Sequence, residues 1–298
     1  MNVILGGGVV ALFARDILGP SWHIIPVGRS LYYSFSPPLA DNYIVRDEKT
    51  DEYFNFVSHP ECIKNMFSIG GHLTQEMSVL NEWLSKKYKN DIPPQSVKYW
   101  NSHMNNFAYP GLINIYRDMQ IKYQDEIIQN NNEGHLVKID LSNREIHLSG
   151  KVIEYEYIIN TLPLYAFLEI AKIDYHLPSL DLWCYHVRSE TIDLEGATNV
   201  FIVDKAIEFY QVSKVGNIDY IFYAISEVQH PAVDFMSIID KFDLVNETMI
   251  PKGIQCGSIP KIEMLKDGGI INVGSGVWDD CLDIGSVLLR LLKIKNTI

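Results

Sequence analysis

The chain has 298 residues, of which 47% are apolar and 11% aromatic, enough to fill the core of one large or two modest globular domains. Its 25 basic residues stand against 37 acidic ones, a net charge of −12 with no lysine-arginine tract, which disfavours a general electrostatic grip on nucleic acid or an anionic membrane and leaves only a local basic groove open. No apolar run reaches membrane-spanning length, Met1–Leu5 begins a strand rather than a signal peptide, and Cys62, Cys184, Cys256 and Cys281 form no C-x-x-C pair, so a reduced, cytoplasmic protein without a metal centre is expected.

The first strand pattern, Asn2-Val-Ile-Leu-Gly6, runs straight into Gly6-Gly7-Gly8-Val9-Val10-Ala11 and then into a helical pattern that ends near Gly19. A strand, a glycine turn and a helix in that order make a phosphate-binding element, here spaced Gly6-x-Gly8-x-x-Ala11. Gly6 permits the tight turn, Gly8 lets the backbone approach a pyrophosphate, and the small Ala11 lets the helix pack closely on the strand. The amides and positive dipole end at Val9–Ala11 then face the anion. The competing reading is a glycine-rich turn between a buried strand and a helix.

A second strand is predicted at Trp22–Val27, followed by Gly28-Arg29-Ser30 and an aromatic, proline-rich loop over Leu31–Ala40. Residues Pro60–Tyr88 carry Ile63, Met66, Phe67, Met77, Leu80 and Leu84 at helical spacing, which predicts a helical insertion broken at Gly70-Gly71 and ended by Pro93-Pro94. A helix follows from Gly111 to about Gln129, then a hairpin of His135–Leu141 and Arg144–Leu148 turning at Ser142-Asn143. Glu154–Asn160 reads as an apolar strand closed by Thr161-Leu162-Pro163 and succeeded by a helix over Leu164–Ala171.

From Leu180 the pattern changes to strands at Leu182–Arg188, Asn199–Val203, Ile207–Val212 and Tyr220–Ile225, an antiparallel second lobe, with a helix predicted at Pro231–Phe242. The chain closes with a buried strand at Gly269–Val273, the turn Gly274-Ser275-Gly276, and a helix over Asp283–Leu292 capped by Asp283. The fold class is α/β: a Rossmann-type domain with a parallel sheet from residues 1–45, 105–172 and 255–298, a helical cap over 46–104, and a small antiparallel substrate lobe over 173–254.

Three separated segments, Tyr157-Ile-Ile-Asn-Thr-Leu-Pro163, the earlier Phe107-Ala-Tyr-Pro-Gly-Leu-Ile113, and Ile270-Ile-Asn-Val-Gly-Ser-Gly-Val-Trp278 with Asp283-Ile-Gly-Ser-Val287, resemble flavoproteins of the amine oxidase, protoporphyrinogen oxidase and UDP-galactopyranose mutase superfamily. The resemblance implies FAD as cofactor, with Gly6, Gly8, Val9 and Ala11 at its pyrophosphate and backbone near Leu136–Val137 at its adenine. It further implicates Thr161 and Pro163 beside the cofactor, Gly274 near the pyrophosphate or ribityl chain, and the helix start at Ile284-Gly285 against the flavin pyrimidine carbonyl. Helix amides at that last place stabilise the negative charge of reduced flavin.

The chain departs from the superfamily in three places. The acidic residue that ends the second strand in relatives is missing, and Arg29 or Ser30 stands in its place; Gly274-Ser275 replaces a Gly-Arg pair; and the chain is short, so its substrate lobe is reduced. The aromatics expected nearest the flavin are Tyr32, Tyr33, Phe209, Tyr210 and Trp278, against a competing role for each in core packing. Lys205 and His103 are weaker candidates, as a flavin-adjacent lysine and a proton carrier, because a lysine in an Asp-Lys turn is more often a solvated surface residue and a lone histidine in a polar loop more commonly structural or exposed.

What the resemblance implies for activity is oxidation of a C–N bond in a small amine or amino-acid-like substrate with oxygen as acceptor. The alternatives are a flavin-dependent, non-redox enzyme of the sugar-mutase type, an oxidase or lyase acting on an amino-acid-modified nucleobase in viral DNA, and a non-catalytic dinucleotide-binding module.

Overall fold

The computed structural model describes residues 1–27, 43–45, 51, 61–103, 105–110, 112–132, 134–174, 176–225, 242–257, 263–274 and 284–298. Along the chain its elements are β1 (Asn2–Leu5), α1 (Val9–Leu18), β2 (Trp22–Ile25), β3 (Tyr43–Val45), β4 (Glu61–Ile69), β5 (His72–Thr74), a 3-10 turn at Met77–Val79, α2 (Leu80–Lys87), α3 (Pro94–His103), β6 (Asn105–Pro110) and α4 (Leu112–Asn132). They continue with β7 (Leu136–Asp140), β8 (Glu145–Leu148), β9 (Val152–Glu154), β10 (Tyr157–Asn160), α5 (Leu164–Ile170), β11 (Ser179–Arg188) and β12 (Asn199–Ile202). The last are β13 (Phe209–Lys214), β14 (Asp219–Ile225), β15 (Asp243–Gln255), α6 (Glu263–Asp267), β16 (Ile270–Asn272) and α7 (Ile284–Lys295).

Four short strands with almost continuous apolar runs form a parallel sheet in the order β16-β10-β1-β2. Such runs belong to strands buried on both faces. Ile4, Ile24 and Ile159 point to one side, where Ala11, Leu12 and Phe13 of α1, Ile115 and Met119 of α4, and Leu288 and Leu291 of α7 pack on them. Val3, Leu5, Ile25, Ile158 and Ile270 point to the other side, onto Ile139, Ile146 and Leu148 of the antiparallel meander β7-β8-β9 and onto Leu164 and Phe167 of α5. The Arg15 guanidinium of α1 meets the Glu126 carboxylate of α4 at 3.0 Å, and the Tyr123 hydroxyl donates to Asp16 at 2.6 Å, which fixes the two helices against each other. This is the Rossmann-type half of the expected α/β fold.

A nine-stranded sheet in the order β15-β11-β14-β13-β12-β4-β6-β3, with β5 paired to β4, forms the second half. All its pairs are antiparallel except β12 with β4. It is therefore wider than the antiparallel lobe expected from residues 173–254, since β3, β4, β5 and β6 join it from the region between the second strand and α4.

This corrects the helical insertion predicted over Pro60–Tyr88, and with it the purely helical character expected of 46–104. Residues Glu61–Ile69 are a strand, and only Leu80–Lys87 is the helix. Phe67 packs under α2 while its neighbour Met66 packs on the opposite face of the sheet. A strand buried on both faces places apolar residues at successive positions, so Ile63, Met66 and Phe67 matched a helical spacing by coincidence. Gly70 and Gly71 break no helix; with φ of +54° and +83° they form the tight turn between β4 and β5. Pro94 opens α3 rather than ending a helix, as a residue without an N–H does well at a first helical position.

The other predicted elements agree to within a few residues, with β9 added to the hairpin. Most of the helix predicted over Pro231–Phe242, and the cap Asp283, lie outside the described residues.

The second half is anchored by Trp83 of α2, which is fully buried, donates its indole N–H to the Tyr210 carbonyl at 2.7 Å, and lies 4.4 Å from the Phe201 ring and 5.0 Å from Trp100. Trp83→Ala is expected to destabilise the protein by about 3–5 kcal/mol through the cavity and the lost indole donor. The urea midpoint measures it; a loss under about 1 kcal/mol would mean that α2 is not an anchor of the sheet.

Candidate functional site

The candidate site is built at the carboxyl ends of the parallel strands, where open α/β sheets bind their ligands. The pairing register puts Ile25, Leu5, Asn160 and Asn272 in one row across the sheet. Each chain then takes one more step that remains tied to its neighbour: Gly6 N–H donates to the Ile25 carbonyl at 2.9 Å, Thr161 N–H to Leu5 at 3.0 Å, and Val273 and Gly274 N–H to Asn160 at 2.8 and 3.0 Å. The glycine turn at Gly6 and the segments around Thr161 and Gly274 therefore meet edge to edge, whereas the strand part of the third resembling segment, Phe107–Pro110, lies with β6 in the larger sheet.

They meet so closely that side chains are excluded. A Cβ on Gly6 would collide with the Thr161 hydroxyl, which donates to the Leu5 carbonyl at 2.8 Å, and Gly6 also holds a φ of +128°. A Cβ on Gly274 would overlap the carbonyl oxygen of Leu162. Gly8 is different: it caps α1 with extended backbone, and among the described residues nothing lies within 4 Å of the position where its Cβ would stand.

No side chain caps α1, and its first turn carries no acidic residue. The first intrahelical bond is Leu12 N–H to Gly8 carbonyl at 3.2 Å, so the Val9, Val10 and Ala11 amides sit ahead of it with the positive end of the helix dipole. Ala11 is fully buried against the sheet. An uncapped helix start with open space before Gly8 fits a pyrophosphate.

The remaining candidates are spread more widely. Val137 is 56% exposed and falls at a bulge in the β7–β8 pairing, between Leu136 opposite Leu148 and Lys138 opposite His147, a place where backbone groups leave the ladder. Leu136 beside it packs on the same core as Ile25 and Val27. Pro163 precedes α5 directly. Ile284 and Gly285 open α7, as the resemblance requires of a helix start.

Tyr210 is 4% exposed in the aromatic core around Trp83, and its ring faces the Lys87 ammonium at 5.6 Å; Phe209 packs on the opposite face of the sheet against Tyr185 and Phe222. The two neighbours thus point to opposite sides. Lys205 lies exposed in the turn after β12, and His103 is the last residue of α3. Arg29, Ser30, Tyr32, Tyr33 and Trp278 lie outside the described residues.

Sequence reasoning passed over two side chains in this row. Asn160, fully buried, accepts from Leu162 N–H at 3.1 Å and donates to the Leu162 carbonyl at 3.2 Å and to the side-chain oxygen of Asn272. The signal was present as the repeated Ile-Ile-Asn of 158–160 and 270–272, two polar residues at the same place in apolar strands that pair in register.

Elsewhere, a cavity of about 510 Å³ opens between α5, the turn after α2 and the ends of β11 and β15, lined by Tyr88, Tyr165, Glu169, His176, Lys252 and Cys256 among others. It includes none of the residues predicted for the cofactor. Lys252 is engaged there, 3.1 Å from the Glu169 carboxylate and over the Tyr165 ring. Burial pushes the Cys184 thiol up to about 12 and the Cys256 thiol up to about 11, the latter helped by Asp91, so both are protonated packing groups at neutral pH. Among the described residues no three His, Cys, Asp or Glu groups are arranged to hold a metal ion, and no helix is long and apolar enough to cross a membrane.

No family model matches the chain, and no curated protein matches it. Solved structures do. A reduced UDP-galactopyranose mutase superposes with a TM-score of 0.61 at 12% identity, covering 99% of this chain and 92% of that one. A putative protoporphyrinogen oxidase from Exiguobacterium sp. 255-15 gives 0.57 at 9% identity, covering 99% and 97%. An iminodiacetate oxidase from Chelativorans sp. BNC1 gives 0.51 at 10% identity, covering 99% and 93%. At these identities the likeness establishes the fold, a Rossmann-type α/β fold shared with the superfamily that the three sequence segments resemble.

Two outcomes follow from the site and its surroundings. Gly274→Ala is expected to cost about 1–3 kcal/mol in unfolding free energy, because the Leu162 backbone has to give way; an unchanged midpoint would mean that the two segments do not touch. The second concerns Lys86, whose ammonium donates to the Asp204 and Phe209 carbonyls at 2.6 Å each and is pushed by burial down to about 8, against an opposing pull from the Asp204 carboxylate. The unfolded chain keeps this proton up to about 10.5 while the folded one releases it from about 8, so the residue's contribution to stability rises with pH across that window. Urea midpoints at the two ends of the window should show this rise in the wild type relative to Lys86→Met; parallel curves would contradict it.

Proposed function

We propose that the protein binds FAD and is an FAD-dependent oxidoreductase that oxidises a C–N bond in a small amine or amino-acid-like substrate, with oxygen as the electron acceptor. The observation that carries the cofactor assignment is the meeting of Gly6, Thr161-Leu162 and Gly274 at the carboxyl ends of the parallel strands, beside an uncapped helix start. Three segments far apart in the chain converge where one extended ligand would lie.

In this reading the Val9–Ala11 amides hold the pyrophosphate, with Gly8 allowing close approach. Arg29 takes up the phosphates or the ribose in place of an acidic residue, and the Val137 backbone, freed by its bulge, meets the adenine. Thr161 and Pro163 flank the cofactor, Gly274 leaves room for its central chain, and the α7 amides at Ile284-Gly285 receive negative charge at the far end. Bound FAD would supply the two-electron acceptor. Tyr32 and Trp278 would line the substrate position, whereas Tyr210, proposed with them from the sequence, is part of the aromatic core around Trp83. Residues 1–45, 105–172 and 255–298 carry the cofactor in this scheme, with β3 and β6 reaching out of them into the larger sheet.

The choice of a C–N bond draws support from the similarity to an enzyme named as an oxidase of iminodiacetate, itself a secondary amine. The similarity to a reduced UDP-galactopyranose mutase supports a second reading, a non-redox rearrangement that needs a reductant and consumes no net oxygen. Oxygen uptake with candidate amines separates the two.

The cofactor assignment is tested by the absorption spectrum of the protein after incubation with FAD: bound flavin with a dissociation constant in the micromolar range or tighter is expected, and a colourless protein refutes it. Gly8→Asp sharpens the test. The new carboxylate caps α1 and is expected to leave stability unchanged or raise it by up to about 1 kcal/mol. Placed against the pyrophosphate, it should weaken FAD binding by about a hundredfold or more, on the scale of several kcal/mol for like charges in contact; retained affinity would move the pyrophosphate away from α1.

A further inference from the structure

We infer that the buried carboxamide pair Asn160–Asn272 is the positioning element of the cofactor site, holding the Thr161-Leu162 backbone in the one place that keeps it against both Gly6 and Gly274. The inference rests on the FAD reading and assigns to it two residues that never touch the cofactor. Asn160 closes a ring on Leu162, accepting from its N–H at 3.1 Å and donating to its carbonyl at 3.2 Å, and spends a further N–H on the Asn272 side-chain oxygen. Its backbone carbonyl accepts from both Val273 and Gly274. One residue therefore fixes the loop on the β10 side and the strand exit on the β16 side.

The stabilising balance of the pair is unfavourable enough to need a reason. Asn160 is 0% and Asn272 1% exposed, and the Asn272 side-chain nitrogen has no hydrogen-bond partner among the described residues. A buried, unpaired amide N–H is costly, and two apolar residues of the same shape would serve packing at least as well. What leucines cannot do is grip the Leu162 backbone. The Leu162 carbonyl occupies the space of a Gly274 side chain, and Thr161 that of a Gly6 side chain, so a shift of the 160–162 turn moves the walls on both sides of the cofactor path. The pair trades stability for the position of that turn.

This separates two quantities that a merely structural pair would move together. Asn160→Leu strands the Asn272 oxygen and the Leu162 groups, and it should lower the unfolding midpoint of the apoprotein and raise the FAD dissociation constant roughly ten- to a hundredfold, the scale expected of a small misplacement in a preorganised site. The double variant Asn160→Leu/Asn272→Leu also removes the stranded Asn272 carboxamide, so its apoprotein midpoint should recover the share of the loss owed to that group, while the Leu162 groups stay without their Asn160 partner. Its FAD affinity should stay weak.

Both are read on the apoprotein titrated with FAD, by quenching of flavin fluorescence, beside its urea midpoint. Recovery of affinity together with stability in the double variant overturns the inference, as does a wild-type dissociation constant in either variant. So does an affinity loss that tracks the stability loss in both. A wild-type protein that binds no FAD instead refutes the cofactor reading itself, and the inference falls with it, a result distinguishable because it precedes any substitution.

Discussion

The structure depends on one steric constraint: the Thr161 hydroxyl and the Leu162 carbonyl fill the volumes that side chains on Gly6 and Gly274 would occupy. It makes the glycines of the first and last segments answer to the middle one. β10 sits between β1 and β16 in the sheet, so the turn that leaves it borders both neighbours, and the ladder of backbone hydrogen bonds runs one residue past the strand ends on each side. Gly6 needs its missing side chain twice over, for the close approach of Thr161 and for a backbone with φ of +128°. Gly8 needs it for neither reason. The contrast sorts the glycines of the turn: Gly6 is explained by its protein neighbour, whereas among the described residues nothing stands in front of Gly8 to explain it.

A sheet edge held this tightly requires that the strands beneath it cannot slide. Each parallel strand has three or four residues, too few for its own hydrogen bonds to set register against alternatives. Burial on both faces sets it instead. Ile4, Ile24 and Ile159 are locked under α1, α4 and α7, and Leu5, Ile25, Ile158 and Ile270 under the meander and α5, so a slip of one residue would exchange the two faces and mismatch two cores at once. The Arg15–Glu126 pair is part of the same restraint, because the Glu126 carboxylate also accepts from the backbone of Ile24 in β2. Helix α4 is thereby tied to α1, which follows the glycine turn, and to β2, whose Ile25 carbonyl receives the Gly6 N–H.

How much of this was legible follows from how local each signal is. The strand, glycine turn and helix of the first nineteen residues are a contiguous pattern and were read as they stand. So were β10 with its Thr-Leu-Pro exit and the strands β11 to β14, where apolar and turn residues alternate over short distances. The strand β4 was not, because a strand covered on both sides places apolar groups at neighbouring positions and imitates a helix, and its partners β6 and β12 lie far away in sequence. Tyr210 was proposed for a pocket because it is aromatic and in the second lobe; its immediate neighbour Phe209 faces the other way, a distinction that depends on which face of β13 receives α2. Asn160 and Asn272 were visible as letters, but their meaning required the register that sets them opposite each other.

The net charge of −12 raises the question of how such a chain would receive a cofactor that is itself an anion. Long-range repulsion is a weak obstacle, since at physiological ionic strength charges beyond about 8 Å are largely screened. What matters is the sign of the field inside the site, and the acidic groups described on α1 and α4 that pair across the two helices are Asp16 and Glu126. Asp16 lies in the last turns of α1 rather than the first, where it receives the Tyr123 hydroxyl and the Lys122 ammonium, and Glu126 is held by Arg15. Pairing these carboxylates with groups of α1 and α4 offsets their charge, while the Val9, Val10 and Ala11 amides carry the positive end of the α1 dipole. In the proposed FAD reading, the same interactions that fix α4 to α1 would also favour phosphate at this helix start, and Arg29, which follows β2 in the sequence, would act in the same direction.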